Sequence, residues 1–373
     1  MLTSSPMPGL TRRKLLLGAA AMGSSTPTIV ACSPGAAHED IARDLRRPID
    51  LKPSDRPRLL RELVRYSTLA PSSHNSQCWR FRVLPGSITI EPDLSRRLPI
   101  VDPDDHHLFV SLGCATESLA QAALANGLQA ITQFDVAGTG AVEIGLEATK
   151  AVASPLFHAI SERQCTRGDY DGKPISSDTL QLMERAGSGR GVHVLLLTER
   201  AAMEKVLEYV VAGNTAQMND SAFVTELEAW MRFSAAEAER TGDGLFSATT
   251  GAPVMPRWLG SRLMSLFFTP ESENKRCTRQ VRSSGGIAVF TSDASDKSHW
   301  IEVGRCYERF ALQATALGVR NAFLNQPVEV GAIRPQFAAA LGLGSRRPDL
   351  VVRFGRGPAM PLSMRRPVEA VLV

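Results

Sequence analysis

Two amphipathic stretches far apart in the chain carry the same order of apolar and small residues. Leu112-Gly113-Cys114-Ala115-Thr116-Glu117-Ser118-Leu119-Ala120 continues to Gly127-Leu128, and Val303-Gly304-Arg305-Cys306-Tyr307-Glu308-Arg309-Phe310-Ala311 continues to Gly318-Val319. Apolar positions recur every three to four residues and a glycine closes each run, as in a helix with one buried face. Gly113 with Gly304, Glu117 with Glu308, Ala120 with Ala311 and Gly127 with Gly318 all share an offset of 191, which points to a duplicated unit.

The flanking patterns agree with duplication. Residues 59–70 read as a helix that leads through a Pro-Ser-Ser loop into a strand at 79–83. Residues 177–186, capped by Ser176 or Ser177, lead through Gly187-Ser188-Gly189 into a strand at 192–197. The expected fold is α+β and internally duplicated, with mostly antiparallel sheets wrapped by helices. Residues 59–150 form the first half and 151–373 the second. The second half carries a lid-like insertion at 201–272, helical at first and then punctuated around Gly242-Asp243-Gly244, with Trp230 and Trp258 in it.

Of the 373 residues, 43% are hydrophobic and 21% charged, a balance that fits one large domain or two intimately packed ones. The first 32 residues depart from it. Thr11-Arg12-Arg13-Lys14 precedes Leu15-Leu16-Leu17, and a Gly/Ala/Ser-rich stretch ends at Ile29-Val30-Ala31-Cys32. The paired arginines resemble a twin-arginine export signal and the end resembles a lipobox with Cys32 as the lipidated residue, so 1–32 is read as an export signal and 33–58 as a linker. The expected location is periplasmic or lipid-anchored at the cell envelope. Without Arg12, Arg13 and Lys14 the chain holds 39 Lys+Arg against 38 Asp+Glu, too even a balance for a nucleic-acid-binding surface. No further run approaches the apolar length of a membrane helix.

Cys78, Cys114, Cys165, Cys277 and Cys306 show no CxxC spacing and are read mostly as small buried residues, with one disulfide open. Asp102, Asp104, Asp105, His106 and His107 have ligand chemistry, but an acidic turn before a helix is a cap, and no metal is expected. There is no Gly-x-Ser-x-Gly elbow and no Gly-x-Gly-x-x-Gly after a strand, which removes the common hydrolase and dinucleotide-binding readings.

Three polar groups remain. Pro71-Ser72-Ser73-His74-Asn75-Ser76-Gln77-Cys78-Trp79 is dense in short side chains that can bond a planar heterocycle edge-on, and is equally a polar turn capping a strand. Arg163 and Arg167, four residues apart with Cys165-Thr166 between, could share one face of a helical turn and clasp a phosphate, or be a solvated charge run. Ser363-Met364-Arg365-Arg366-Pro367 places another basic pair on an extended tail.

Together these groups resemble the nitroreductase-like FMN flavoproteins. The first looks like their Ala-Pro-Ser-Ser-x-Asn-x-Gln-Pro-Trp segment, the second like their Arg-x-Ser-x-Arg-x-Phe phosphate motif, and the third like their final Arg-Pro. With Arg96-Arg97-Leu98-Pro99 and Phe354-Gly355-Arg356-Gly357-Pro358, the likeness is to the Acg-like branch, a fused pseudo-dimer. The resemblance implies that Ser72, Ser73, Asn75 and Gln77 serve the flavin ring and Arg163, Cys165, Arg167 and Arg365 its phosphate, with Asn325 and Gln326 near the reactive edge. It also implies one composite FMN site, because the first half has only Arg46-Arg47-Pro48 where its phosphate motif should stand and the second has Ala186-Gly187-Ser188-Gly189 in place of a ring loop. The mirror site is expected to be ruined.

The function implied is an FMN-dependent oxidoreductase passing hydride from a reduced nicotinamide to an electron-poor acceptor, a nitroaromatic or quinone, with no side-chain acid or base required. An FMN-sequestering exported protein whose lid prevents turnover is the alternative, and an exported binding protein without flavin is a third reading. Beyond small molecules and a lipid anchor no partner is implied, and the chain would be a monomer or an oligomer of pseudo-dimers.

Overall fold

Each half of the chain spells the same path of helix, two strands, long helix and two strands. The computed structural model describes residues 36–49, 55–135 and 138–373. The export signal and Cys32 lie outside the described residues, as do 33–35 and 50–54 of the expected linker, whose other residues include a short helix and the start of a longer one.

After a short helix α1 (Ala36–Asp44), the first half runs α2 (Arg56–Thr68), β1 (Trp79–Leu84), β2 (Ser87–Pro92), α3 (His106–Ala125), β3 (Leu128–Phe134) and β4 (Val142–Ala148). Asp55 caps α2 by accepting from the Arg58 amide, an interaction worth about 1 kcal/mol. The strands pair antiparallel in the order β1-β2-β4-β3. Exposure alternates along β1, so one face of this sheet meets the core and the other meets solvent.

After α4 (Pro155–Ala159), the second half repeats the path with α5 (Ser177–Gly187), capped by Ser176, and β5 (Val192–Leu197). Where β1 and β2 are joined by Pro85-Gly86 alone, the chain now detours through residues 198–285 before resuming. The detour contains α6 (Arg200–Met218), α7 (Ser221–Trp230), β6 (Met231–Arg232), α8 (Ala235–Thr241), β7 (Leu245–Phe246), α9 (Ser247–Thr250), α10 (Arg257–Phe267) and α11 (Pro270–Arg282). The path then continues with β8 (Gly286–Ser292), α12 (Lys297–Ala316), β9 (Arg320–Phe323), α13 (Gln326–Glu329), α14 (Arg334–Ala340) and β10 (Arg347–Gly355). Its sheet order, β5-β8-β10-β9, is the first sheet's order again.

Every residue of β8 is buried. Ala288 and Phe290 face the large core around α3 and α12, whereas Ile287 and Val289 face a second core with Met203, Val206 and Val210 of α6 and Val281 of α11. The first helix of the insertion therefore covers a sheet, and only the later elements reach over the site.

Helices α3 and α12 cross at the centre of the molecule. A Cβ on Gly113 would stand 2.0 Å from the Ile301 carbonyl oxygen, and one on Gly304 would stand 2.0 Å from that of Val110. Val110 and Ile301 are themselves offset by 191, so the contact is related to itself by the duplication, and only glycine permits it. By length and composition α3 could cross a membrane, contrary to the expectation from sequence, but most of its apolar window is buried in this core. The tail after β10 is extended and ends beside β1, where the Phe81 amide donates to Val371 and the Val373 amide to Phe81. That return carries Arg365 from the second half onto the first.

Candidate functional site

Helix α2 ends with carbonyls that no later helical amide can satisfy. Arg365 takes three of them: its Nε donates to Thr68 O at 2.7 Å, and Nη2 donates to Leu69 O and Ala70 O. Arg163 Nη2 also donates to Leu69 O, at 2.7 Å. Two cations at a helix C-terminus are favoured by its dipole.

Pro71 then turns the chain into a strained loop. His74, Asn75 and Gln77 all take left-handed φ values near 52°, a region costly for side chains other than Asn and held only by the surroundings. Here the Ser72 hydroxyl accepts from the Gln77 amide at 2.9 Å. The Gln77 side chain is fully buried, donates to Gly242 O and accepts from the Arg366 amide. Asn75 donates to Gly244 O and Met364 O and accepts from Arg365 Nη1. These bonds fix the loop to the insertion and the tail.

Two connected cavities follow from this arrangement. The wider, about 220 Å³, is lined by Ser72, Ser73, His74, His107, Arg167, Phe323, Asn325, Gln326 and Glu329, among others. The narrower is lined by Arg46, Asn75, Arg163, Cys165 and Arg365, and shares Pro71, Ser72, Arg167, Leu245 and Phe323 with the first. Nine of the ten residues singled out from sequence thus meet around one composite cavity, and Gln77 lies buried beside it.

Arg163 and Arg167 do not share a helical turn. Cys165 between them makes an isolated parallel bridge to Asn321 beside β9, which holds the run extended and places both guanidiniums along the narrow cavity. Arg46, assigned from sequence to the mirror position, lies in the composite site instead. Its Nη1 donates to Ala42 O and its Nη2 to Ser363 O. Asp102 accepts from the His107 and Leu108 amides, the geometry of a cap on α3. The five described cysteines are all free thiols.

The narrow end is strongly cationic. Arg46, Arg163 and Arg365 are all buried, and the carboxylate that answers them is Glu308, with Oε1 3.4 Å from Arg163 Nε and accepting from Ser118 Oγ at 2.9 Å. Burial, with Arg46 and Arg163 beside it, holds Arg365 well below the usual guanidinium range. Burial and Arg163 lower Arg46 to about 10. Burial lowers Arg163, but Glu308, with smaller help from Tyr307 and the neighbouring cysteines, brings it to a net rise. Nε of Arg46 and Nε of Arg163 have no hydrogen-bond partner, and Arg167 makes no side-chain hydrogen bond or ion pair among the described residues. Buried positive charge with orphaned donors is matched by a multiply charged anion.

The wide end is polar where it meets the loop. Gln326 Oε1, His74 Nε2 and His107 Nε2 are buried without partners, and burial with Arg167 nearby lowers His74 to about 4, which keeps its imidazole neutral. Asn325 Oδ1 accepts from the Val351 amide, so its side chain braces α13. Sequence reasoning did not assign Arg46, His74, His107, Phe323 or Glu329 to this site. Arg46 was visible only as a basic pair, and its partners in the tail lie more than 300 residues away.

The mirror position keeps a cavity of about 410 Å³. It is lined by Thr132, Phe134, Ser298, Ile301, Glu302 and Arg305, each offset by 191 from a residue lining the wider cavity: Phe323, Asn325, His107, Val110, Ser111 and Cys114. The mirror of the narrow end is filled, because Arg309 donates to Ala186 O and Ser188 O and pairs with Glu117 at 3.0 Å. The expected loss of the mirror site is therefore a loss of its anion end, while the space itself persists.

No family model matches the chain. Over 322 residues it is 22% identical to proteins named as NAD(P)H nitroreductases in two strains of Mycobacterium tuberculosis, covering 84% of this chain and 90% of each relative. Among solved structures, a nitroreductase from Bacteroides fragilis with bound FMN aligns over 55% of this chain and 89% of its own, at 17% identity and a TM-score of 0.34. An FMN-dependent nitroreductase from Mycobacterium smegmatis in complex with NADPH aligns over 54% of this chain and 87% of its own, at 15% identity and a TM-score of 0.35.

Proposed function

We propose that the chain is an FMN-dependent oxidoreductase of the nitroreductase type with one FMN in the composite cavity. The observation that carries this reading is the union of a buried, undercompensated guanidinium cluster with a second cavity where the orphaned Gln326 amide and His74 imidazole suit a flat heteroaromatic ring. The similarity to proteins named as nitroreductases supports it.

In this reading Arg46, Arg163, Arg167 and Arg365 hold the phosphate, with Cys165 beside them, and Ser72, Ser73 and Gln326 meet the ring. Bound FMN would supply a centre that accepts hydride from a reduced nicotinamide and passes it to a nitroaromatic or quinone. The chain's own part is binding, orientation and the exclusion of water. Asn75 and Gln77 act one step back, by holding the strained loop in place.

A second reading has its own support. The insertion is fastened to the loop, with the Gly244 amide donating to Asn75 O and Asn75 Nδ2 to Gly244 O. Asp243 pairs with both Arg96 and Arg232. A cover held this way would keep FMN and slow the entry of acceptors, as a flavin-sequestering protein requires. Export with an anchor at Cys32 remains part of the proposal and rests on residues 1–32 alone.

The test is the absorption spectrum of the purified full chain, followed by heat release and identification of the chromophore. One FMN per chain with oxidation of a reduced nicotinamide supports the oxidoreductase; one FMN without turnover favours sequestration. A colourless chain that takes up no added FMN removes both.

A further inference from the structure

The wider cavity is also lined by an imidazole and a carboxylate to which no contact with the flavin has been assigned. His107, the second residue of α3, is buried, and its Nε2 has no hydrogen-bond partner. On the other side of the ring, Nδ1 lies 4.0 Å from Oε1 of Glu329 and 4.0 Å from Oδ1 of Asp102. Both Asp102 oxygens accept backbone amides, whereas Glu329 Oε1 has no other polar contact among the described residues. Glu329 Oε2 accepts from Gln217 Nε2 at 2.7 Å.

Glu329 also borders a second space. It lines an outer cleft together with Pro103, Gln217, Asp220 and Val330, and among the described residues it is the one that lines both this cleft and the wider cavity. Glu329 therefore stands between the cleft and the cavity, with the His107 imidazole beside it on the cavity wall. At the mirror position His107 is replaced by Ser298, so the pair is not repeated at the equivalent place, although His299 and Glu302 line the mirror cavity elsewhere.

Reduction of a quinone by hydride needs one proton from elsewhere. We propose that Glu329 and His107 form a proton-delivery pair that carries this proton from the outer cleft to an acceptor in the composite cavity, an assignment that rests on the oxidoreductase reading. As hydride brings two electrons and one hydrogen to the quinone, the His107 Nε2–H bond breaks and its proton goes to the quinone oxygen, giving the hydroquinone. Nδ1 takes the proton of the Glu329 carboxylic acid, and the carboxylate is reprotonated from water in the cleft. The imidazole then exchanges tautomers and is ready again. The 4.0 Å gap closes with a small rotation of either side chain, as is common before substrate is bound.

The local electrostatics favour the uncharged form of both members. Burial raises Glu329, with His107 and Gln217 opposing and Asp102 adding to the rise. Burial lowers His107, with Glu329 opposing. The other charged or titratable groups facing the pair are Asp104 on the same turn, Asp349 and Arg347 on β10, Arg334 on α14, His106 alongside and His74 across the cavity.

The test uses the full chain loaded with FMN and a soluble quinone. Glu329→Gln is expected to slow reoxidation of the reduced protein at least about tenfold, within the usual reach of general acid catalysis, and to reduce its solvent deuterium isotope effect. The fall in the unaltered chain's rate as rising pH ionises the Glu329 acid should be absent from the variant, because the amide has no proton to give up. His107→Ala should lose the same step and recover part of it with added imidazole. An unchanged rate and pH profile in both variants, at full FMN content, overturns the proposal. A chain that binds no FMN refutes the oxidoreductase reading instead. The pair is then read in the flavin-free chain by NMR: a His107 titration that moves in Glu329→Gln supports the coupling, and one that does not move overturns it.

Discussion

Glu117 and Glu308 occupy equivalent places on the two crossing helices, yet only Glu308 stands beside an arginine of the composite cavity. Glu117 is bound by Arg305 and Arg309, while Glu308 receives Ser118, the counterpart of Arg309, and stands beside Arg163. One carboxylate closes its pocket and the other leaves room in it.

Glu308→Gln is therefore expected to destabilise the flavin-free chain by about 3 kcal/mol, since it leaves a buried guanidinium cluster without its carboxylate. Inorganic phosphate or FMN should restore more stability to the variant than to the unaltered chain. Thermal unfolding with and without each anion measures this, and equal shifts in the two proteins would contradict it.

Gly304→Ala is expected to lose several kcal/mol or fail to fold, because its methyl group would meet the Val110 carbonyl of the facing helix and neither backbone can retreat. Gly86→Ala, with nothing within 4 Å of the added carbon, should change stability by no more than about 0.5 kcal/mol. Denaturant midpoints of the two variants give the comparison.

Arg167→Met separates phosphate recognition from folding, since the Arg167 side chain makes no hydrogen bond or ion pair among the described residues. Its unfolding midpoint should stay near that of the unaltered chain, while FMN binds about tenfold or more weakly, the loss of one charge-assisted contact. Riboflavin, which lacks the phosphate, should bind both chains alike. Titration with the two flavins decides it, and an equal loss for both would place Arg167 at the ring.

Asp243→Asn should loosen the cover, because it takes charge from the ion pairs with Arg96 and Arg232. Limited proteolysis within residues 231–256 is expected to quicken, and a bulky acceptor to be reduced faster relative to a small one. If both rates stay the same, the fastening at Asn75 and Gly244 is sufficient without these pairs.

Much of the architecture could be read from local pattern. The long helices announced themselves through three-to-four spacing and terminal glycines, and the duplication through glycines that a close helix crossing demands. The ring loop and the basic residues were visible as clusters. What escaped depends on contacts between distant segments. Arg163 to Arg167 has helical spacing but is held extended by the bridge from Cys165 to Asn321. Arg46 enters the site because the tail passes beside α1. His107 reads as part of an acidic cap, and its position on the cavity wall is set only when α13 brings Glu329 against α3. The left-handed backbone at Gln77 has no local signature, since the side chain's bonds to Gly242 and Arg366 maintain it.

The surviving second cavity has a consequence for how such a protein can change. In an assembly of identical chains, one codon sets the same residue in every copy of a site, so each improvement in one pocket is imposed on the other. Here positions 107 and 298 are separate codons, and an imidazole stands at one and a hydroxyl at the other. The duplicated chain can specialise one pocket while the other drifts, and the two-residue turn at Pro85-Gly86 shows where a copy of the fold can gain a whole layer without breaking a single strand pair.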